Sequence, residues 1–191
     1  MNVVAFNGSA RPEGNTAILV REAFKELQAA GIGTELVQLA GKSLHGCRAC
    51  YACFDKKNGL CAWNDDFANE CIARMSRADG VILASPTYHT DVSAEMKALI
   101  DRAGMVAGAN GGMLRRKAGA AVVAVRRSGA IHAFDTLNHF FLISEMIVPG
   151  SSYWNIGVGR DIGEVAGDDE GMGIMRDLGR NMAWLLQKIS R

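Results

Sequence analysis

The sequence has almost no surplus charge of either sign and no long apolar run. Its 21 basic and 20 acidic side chains leave a formal net charge of +1, which gives no reason to expect nucleic acid or an anionic membrane as a partner. The longest apolar segments, such as residues 120–125, are far too short to cross a bilayer. The basic-then-apolar pattern of a secretory signal is also missing, so we expect a cytoplasmic protein.

Internal repeats, low-complexity segments and signs of a second domain are missing as well. A chain of 191 residues can bury a full α/β core, and we expect one domain over residues 1–191. The five cysteines do not indicate a disulfide framework in a cytoplasmic protein. Four of them lie within residues 47–61, which points to metal or redox chemistry.

Short apolar runs that alternate with helical patterns predict an α/β fold. The predicted strands are residues 3–6, 34–39, 81–84, 118–125 and 146–148. The predicted helices are residues 17–27, 64–77, 93–102, 131–144 and 174–189, with glycine-rich connections at 104–112 and 157–173. Five such alternations predict a five-stranded, doubly wound parallel sheet of the flavodoxin-like kind, in a three-layer α/β/α sandwich.

A loop rich in glycine and small hydroxyl residues, 7–16, joins the first predicted strand to the first predicted helix. The first N–H groups of a helix lack partners and its dipole adds positive charge there, so such a loop can bind phosphate. Its polar donors and its cation suit phosphate oxygens: Ser9, Asn15, Thr16 and Arg11.

Two common phosphate loops do not match this segment. A Walker A loop needs Lys after its second glycine, where this chain has Asn15 after Gly14. The three-glycine dinucleotide fingerprint needs a glycine where Ala10 stands. The segment instead resembles the phosphate loop of the NAD(P)H-dependent FMN reductase family, which is flavodoxin-like.

The resemblance to that family extends to three later segments. Residues 85–89 resemble its Ser-Pro-x-Tyr loop, and residues 96–102 its Leu-Lys-x-Phe-Ile-Asp-Arg helix. Residues 126–129 correspond to its third flavin loop, although Ala130 stands where the family more often has glycine. The resemblance implies that FMN contacts Ser9, Arg11, Gly14, Asn15, Thr16, Ser85, Pro86, Thr87, Tyr88, His89, Arg126, Ser128 and Gly129.

The cysteines are spaced Cys47-x2-Cys50-x2-Cys53-x7-Cys61. A compact CxxCxxC segment lets three thiolates reach three irons of a cubane, and a distant fourth completes the set. Zinc more often takes two separated pairs. With Asp65-Asp66 behind it, this layout resembles the iron–sulfur flavoproteins, a branch of the same family that carries FMN and a [4Fe–4S] cluster.

The alternative for these four cysteines is reduced, free or redox-active thiols, because cluster-free relatives also keep several of them. The proline that often follows the last ligand in ferredoxins is replaced by Ala62. Cys71 lies on the apolar face of a predicted helix, and we expect it in the core.

The resemblance implies an FMN-dependent oxidoreductase that takes electrons from NAD(P)H or a ferredoxin and passes them to an acceptor. No catalytic dyad is expected, because the flavin itself carries the electrons. The alternatives are a cluster-free NAD(P)H:quinone or flavin reductase, and a thiol or zinc redox sensor without flavin. The family also implies a homodimer or homotetramer, and the near-zero net charge gives no reason to expect a nucleic acid or membrane partner.

Overall fold

Five parallel strands form the central sheet of the protein, whose computed structural model describes residues 1–189. The strands are β1 (Asn2–Asn7), β2 (Gly33–Gln38), β3 (Gly80–Pro86), β4 (Ala118–Val125) and β5 (Ile156–Val158). They lie in the order β2-β1-β3-β4-β5, and each neighbouring pair is parallel. This order confirms the predicted doubly wound, flavodoxin-like sheet.

Helices cover both faces of the sheet. Along residues 1–189 they are α1 (Asn15–Ala29), α2 (Ala52–Lys56), α3 (Ala68–Arg77), α4 (Ala94–Ala109), α5 (Ala130–Ile143) and α6 (Asp169–Ile189), with a short 3₁₀ helix at Glu164–Gly167. α1 and α6 form one hydrophobic core with the sheet, and α3, α4 and α5 form the other. The protein is therefore the predicted three-layer sandwich. Over the described residues, no helix combines the length and apolar character needed to cross a membrane.

Small residues in the strands allow the helices to pack closely on the sheet. β4 contains only alanine, glycine and valine and is buried throughout. A Cβ at Gly119 in β4 would lie 2.6 Å from the ring of Phe141 in α5. A Cβ at Gly80 in β3 would likewise lie 2.6 Å from the end of Met182 in α6. A larger residue at position 119 would push α5 away from the sheet, whereas one at position 80 would require the flexible end of Met182 to move.

The prediction of the fifth strand at residues 146–148 is wrong. Ile147 makes one isolated bridge to Ala118, and the regular ladder resumes only at Ile156, opposite Val123. Pro149 has no N–H to donate, so the backbone leaves the ladder there. The buried amide of Asn155 donates to the Ala121 carbonyl at 2.9 Å and brings the chain back.

Two helices are longer than the sequence pattern predicts. The predicted connection at 104–112 is largely helical, since α4 continues to Ala109 and includes Gly104. A Cβ at Gly104 would lie 3.6 Å from the Phe140 ring, an ordinary van der Waals distance, so Gly104 lies where α4 contacts α5. α6 begins within the predicted 157–173 connection, because Asp168 accepts a hydrogen bond from the N–H of Gly171 at 3.0 Å.

Candidate functional site

Three loops that follow β1, β3 and β4 meet at the carboxyl edge of the sheet, around a cavity of about 210 Å³. The cavity is lined by Ser9, Arg11, Asn15, Thr16, Pro86, Thr87, Tyr88, Ala124, Val125, Arg126, Gly159 and Arg160. Doubly wound sheets bind ligands at this edge, where the strand order reverses. Eight of these residues are ones that the sequence analysis assigns to FMN.

The loop after β1 is shaped by its own backbone. The N–H of Arg11 donates to Ser9 Oγ at 3.1 Å, and the N–H of Gly14 donates to the Arg11 carbonyl at 3.0 Å. A Cβ at Gly14 would lie 2.9 Å from the Cβ of Arg11, so glycine is required there. α1 begins at the next residue, Asn15. The first N–H groups of that helix can therefore serve an anion in the cavity.

Asn15 makes its hydrogen bonds within the protein. Its Nδ2 donates to the Asp161 carbonyl at 3.0 Å, and its Oδ1 accepts from the N–H of Gly163 at 3.0 Å. Both bonds hold the segment after β5 against the start of α1. The side chain predicted to bind phosphate therefore also organises a fourth loop of the site.

This fourth loop adds Gly159 and Arg160 to the cavity. The carbonyl of Arg160 accepts a hydrogen bond from Nη1 of Arg11 at 3.3 Å. The sequence analysis did not identify these two residues, because it placed the fifth strand about ten residues too early. Their position directly after β5 is the signal that a correct strand assignment would have provided.

The loop after β3 combines structural and exposed groups. Ser85 is fully buried, donates from Oγ to the Pro86 carbonyl at 2.8 Å and accepts from the N–H of Ser93 at 3.0 Å. Ser85 therefore fixes the backbone of the loop and does not offer its hydroxyl to the cavity. Tyr88 lines the cavity and is 42% exposed. His89 is exposed, with a left-handed backbone (φ 47°), and lies beside the lining of the cavity.

The hydroxyl of Thr87 provides a direct test of whether the cavity suits a polar ligand. Thr87 lines the cavity, and its Oγ1 is buried without a hydrogen-bond partner among residues 1–189. Its backbone N–H donates to the Ala124 carbonyl at 2.9 Å, so the loop is held in place. A buried hydroxyl without a partner is costly. The edge of a flavin ring would supply that partner.

The loop after β4 contributes one cation and one turn. Arg126 is exposed and lines the cavity. Gly129 has φ 86° and directly precedes α5, and a Cβ there would lie 3.1 Å from Thr90. Ser128 and Gly129 lie beside the lining rather than in it, as far as the described chain shows. The close approach of Gly129 to Thr90 joins the second and third loops.

The four clustered cysteines line a second, narrow cavity. It is formed by Cys47, Cys50, Cys53 and Cys61 together with Arg48, Tyr51, Ala62, Trp63, Arg102, Met105 and Val106. Cys53 lies on α2 and is buried, Cys50 is exposed, and the other two are half-buried. Cys71 is fully buried in the core, as predicted, and is not among the lining residues.

The thiols lie close enough to affect one another without converging on one point. Burial first, and then the nearby Cys61, Cys47 and Cys50, raise the pKa of the Cys53 thiol. Over the described residues, no three His, Cys, Asp or Glu side chains are arranged to hold a single metal ion. One zinc ion would need its sulfurs about 2.3 Å from a common centre. An iron–sulfur cubane does not need its sulfur ligands around one metal ion, since each thiolate bonds a different iron. The four cysteine thiols therefore fit a cubane better than a single zinc ion.

The backbone around Cys50 adopts a conformation that is rare for these residue types. Ala49 and Tyr51, on either side of Cys50, have φ of 52° and 57°, in the left-handed region. Residues other than glycine seldom occupy this region, and such residues concentrate at functional sites. The N–H of Ala49 donates to Cys47 Sγ at 3.4 Å. The backbone therefore turns sharply on both sides of Cys50.

A buried ion pair between Asp66 and Arg102 connects the cysteine loop, residues 40–63, to α4. Their side chains are 0% and 1% exposed, and Nη1 of Arg102 lies 3.0 Å from Asp66 Oδ2. Arg102 also donates to the carbonyls of His45 and Trp63, at 3.1 and 2.8 Å. The guanidinium therefore holds both ends of the cysteine segment. Both residues belong to motifs that the resemblance singled out, but the sequence gave no reason to pair them.

Asn69 on α3 is a second side chain, after Arg102, that clamps the cysteine loop by hydrogen bonds, and the sequence analysis missed it. Its Oδ1 accepts from the N–H of Cys61 at 2.7 Å, and its Nδ2 donates to the Cys61 carbonyl at 3.0 Å. Both bonds position the last cysteine of the set. Asn110, at the end of α4, similarly accepts from the N–H of Gly59 at 2.8 Å. Neither asparagine has a local sequence signal, since their partners lie 8 and 51 residues away.

The chain resembles known flavoproteins in sequence along its whole length. The NADPH-dependent FMN reductase family matches residues 1–161. An iron-sulfur flavoprotein of Methanocaldococcus jannaschii is 40% identical over 198 residues, which cover 100% of both proteins. An iron-sulfur flavoprotein of Archaeoglobus fulgidus is 31% identical over 195 residues, covering 98% of each.

Solved structures show the same fold at lower sequence identity. RosB with bound 8-demethyl-8-formylriboflavin-5'-phosphate aligns with a TM-score of 0.80 at 18% identity, over 100% of this chain and 80% of that chain. An NAD(P)H:quinone oxidoreductase from Methanothermobacter marburgensis aligns with a TM-score of 0.68 at 17% identity, over 95% and 96% of the two chains. On the family match and the full-length relatives together, the chain belongs to the NADPH-dependent FMN reductase family, and within it to the iron–sulfur flavoproteins.

Proposed function

We propose that this protein is an FMN-dependent oxidoreductase that also carries a [4Fe–4S] cluster and passes electrons from NAD(P)H or a ferredoxin to an acceptor. The observation that carries the proposal is that Cys47, Cys50, Cys53 and Cys61 line one cavity. This occurs in a chain that is 40% identical, end to end, to an iron-sulfur flavoprotein.

The residues of the sheet edge are suited to bind and orient FMN. Arg11 and the start of α1 would hold the phosphate, because both favour negative charge. The free hydroxyl of Thr87 would bond the ring edge, and Tyr88 would lie along the ring or the ribityl chain. When bound, FMN accepts hydride and releases one or two electrons. The protein needs no acid–base dyad for this chemistry, so its part is to orient the ring.

The cysteine cavity is suited to one-electron chemistry by its donor set. A [4Fe–4S] cluster, held by the four thiolates, supplies single-electron transfer when bound. Cys53 would exchange its thiol proton for iron, since the thiolate is the ligand, and burial raises the pKa of that thiol. The clamps on His45, Trp63 and Cys61 hold the loop ready for that exchange.

We also propose that the chain works as a homodimer or homotetramer. Leu142 and Ile143, at the end of α5, are 64% and 84% exposed, and Tyr153 and Trp154 are 64% and 52% exposed. Leu142, Tyr153 and Trp154 line one groove, and exposed apolar side chains grouped in this way favour a protein interface. Sedimentation equilibrium of the purified protein tests this proposal, and a monomer at all concentrations would contradict it.

Anaerobic purification tests the main proposal. The absorbance spectrum, flavin, iron and acid-labile sulfide are measured on one sample, with Cys61→Ser as the variant that should lose iron. We expect one FMN and about four irons per chain. Flavin without iron, even after anaerobic reconstitution, would indicate the cluster-free reductase. A protein that binds zinc but no FMN would indicate the sensor.

A further inference from the structure

Arg102 uses nearly all of its hydrogen-bonding capacity to hold the cysteine segment. A guanidinium has five N–H donors. Four contacts from Nη1 and Nη2 go to Asp66 and to the carbonyls of His45 and Trp63, at 2.8 to 3.3 Å. The fifth donor, Nε, is buried and has no hydrogen-bond partner in the described part of the chain. The unpartnered atom thus belongs to a side chain that is otherwise fully engaged.

The surroundings of Arg102 indicate what could satisfy that N–H. Arg102 is one of the residues that line the cavity of the four cysteines, and its side chain is 1% exposed. Water is therefore not a ready partner. Its fixed neighbours already accept from the other nitrogens, whereas the cysteine sulfurs of the same cavity would become anionic acceptors on binding iron.

We propose that the Nε–H of Arg102 donates a hydrogen bond to a sulfur of the bound cluster, a cysteine thiolate or an inorganic sulfide. This inference rests on the proposed cluster. Hydrogen bonds to the sulfurs are one of the factors that set the potential of such clusters. When the cluster takes up one electron its negative charge grows, so an N–H donor favours the reduced form. Arg102 thus holds the cysteine segment through its Nη groups and adjusts the cluster potential through its Nε–H.

The variant Arg102→Lys separates this role from the structural one. Lysine keeps a positive charge opposite Asp66 but has no Nε donor. We expect the variant to assemble a cluster that is about tenfold harder to reduce, which is about 59 mV for a one-electron couple. The measurement is an anaerobic redox titration followed by the electron paramagnetic resonance signal of the reduced cluster.

Arg74→Lys is the matched control. Arg74 also pairs with carboxylates, Glu35 and Glu70, and its Nε is also buried without a partner in the described structure. It is not among the residues that line the cysteine cavity. Replacing it removes the same kind of donor at a different place. The cluster potential should therefore stay at the wild-type value in Arg74→Lys.

A second variant covers the case in which Arg102→Lys does not fold. Arg102→Gln combined with Asp66→Asn removes both buried charges together, so neither is left without a counter-charge. It also lacks the Nε donor, and its potential should fall in the same direction. FMN content reports whether either variant is folded.

The possible results are distinguishable. A lower potential in the Arg102 variants, with Arg74→Lys unchanged, supports the inference. Equal potentials in wild type and all variants would overturn it and leave the proposed cluster intact. A wild-type protein that takes up no iron or sulfide would overturn the cluster proposal and the inference with it.

Discussion

The flavin edge and the cysteine loop are held together by different kinds of contact. At the flavin edge, the loops follow directly from β1, β3, β4 and β5, so the sheet itself brings them together. The cysteine loop spans residues 40–63 and contains one five-residue helix, α2. Its shape depends on side chains of α3 and α4, above all Asn69, Arg102 and Asn110.

The two sites also differ in position along α4. This helix begins at Ala94, just after the second flavin loop, whereas Met105 and Val106 in its second half line the cysteine cavity. Arg102, which also lines that cavity and is the α4 lining residue nearest to Ala94, lies eight residues after it, which is about 12 Å at 1.5 Å per residue. A change at one site can therefore leave the other intact, which makes the comparison testable.

The largest effect is expected at the clamp of the cysteine loop. Asp66→Ala leaves the buried charge of Arg102 without its counter-charge and should lower the free energy of unfolding by about 3–5 kcal/mol. Urea denaturation measures the loss. Asp65→Ala removes the neighbouring exposed carboxylate and should change it by less than about 0.5 kcal/mol. Equal losses in the two variants would contradict the assigned clamp.

At the flavin edge, Arg11→Ala should weaken FMN binding about 10- to 100-fold, since a charged hydrogen bond contributes about 1.5–3 kcal/mol. Quenching of flavin fluorescence on titration measures the dissociation constant. Arg127→Ala serves as the control, because Arg127 is exposed and outside the cavity lining of the described chain. The iron content should not change in either variant. An unaltered FMN affinity in Arg11→Ala would contradict the proposal that Arg11 binds the FMN phosphate.

Cys71 and Cys61 distinguish a core cysteine from a ligand. Cys71→Ser places a hydroxyl in the apolar core and should lower the free energy of unfolding by about 1–3 kcal/mol, with full iron content. Cys61→Ser should lose iron instead. Burial raises the pKa of Cys71 to about 12, so its thiol should resist alkylation at neutral pH until the protein unfolds. Mass spectrometry of the alkylated apoprotein checks this, and rapid labelling of Cys71 would contradict its place in the core.

The smallest effect concerns pH. Burial alone would raise the pKa of Asp66, but the N–H groups of His45 and Ala68 and the charge of Arg102 outweigh burial and lower the pKa below its ordinary 3.8. A lowered folded-state pKa stabilises the protein above 3.8, and this contribution is lost as the pH falls through the folded-state value. Urea denaturation from pH 6 downwards should therefore show a steeper acid loss for wild type than for Asp66→Asn. Parallel curves would assign the acid loss to other carboxylates.

Much of the fold and of both sites could be predicted from local patterns. Apolar runs identified β1, β3 and β4, and the alternation of residues 34–39 identified β2. The Gly-rich loop, the Ser-Pro-Thr-Tyr segment and the cysteine spacing identified the loops of both sites. These features have a period or spacing that is set by neighbouring residues, so they can be recognised without the fold. The sequence also predicted that Ser93 caps α4, because the capping bond spans only three residues. In the structure the Ser93 hydroxyl accepts from the N–H of Met96 at 3.2 Å.

Tertiary contacts decided the remainder. β5 lies at 156–158 because Pro149 interrupts the ladder and Asn155, 34 residues from Ala121, restores it. The carbonyl of Arg160, at the flavin cavity, accepts a hydrogen bond from Arg11, which lies 149 residues earlier in the chain. The pairing of Asp66 with Arg102 joins residues 36 positions apart. Such pairs leave no periodic trace in the sequence, because only the packed layers of the sandwich bring their side chains into contact.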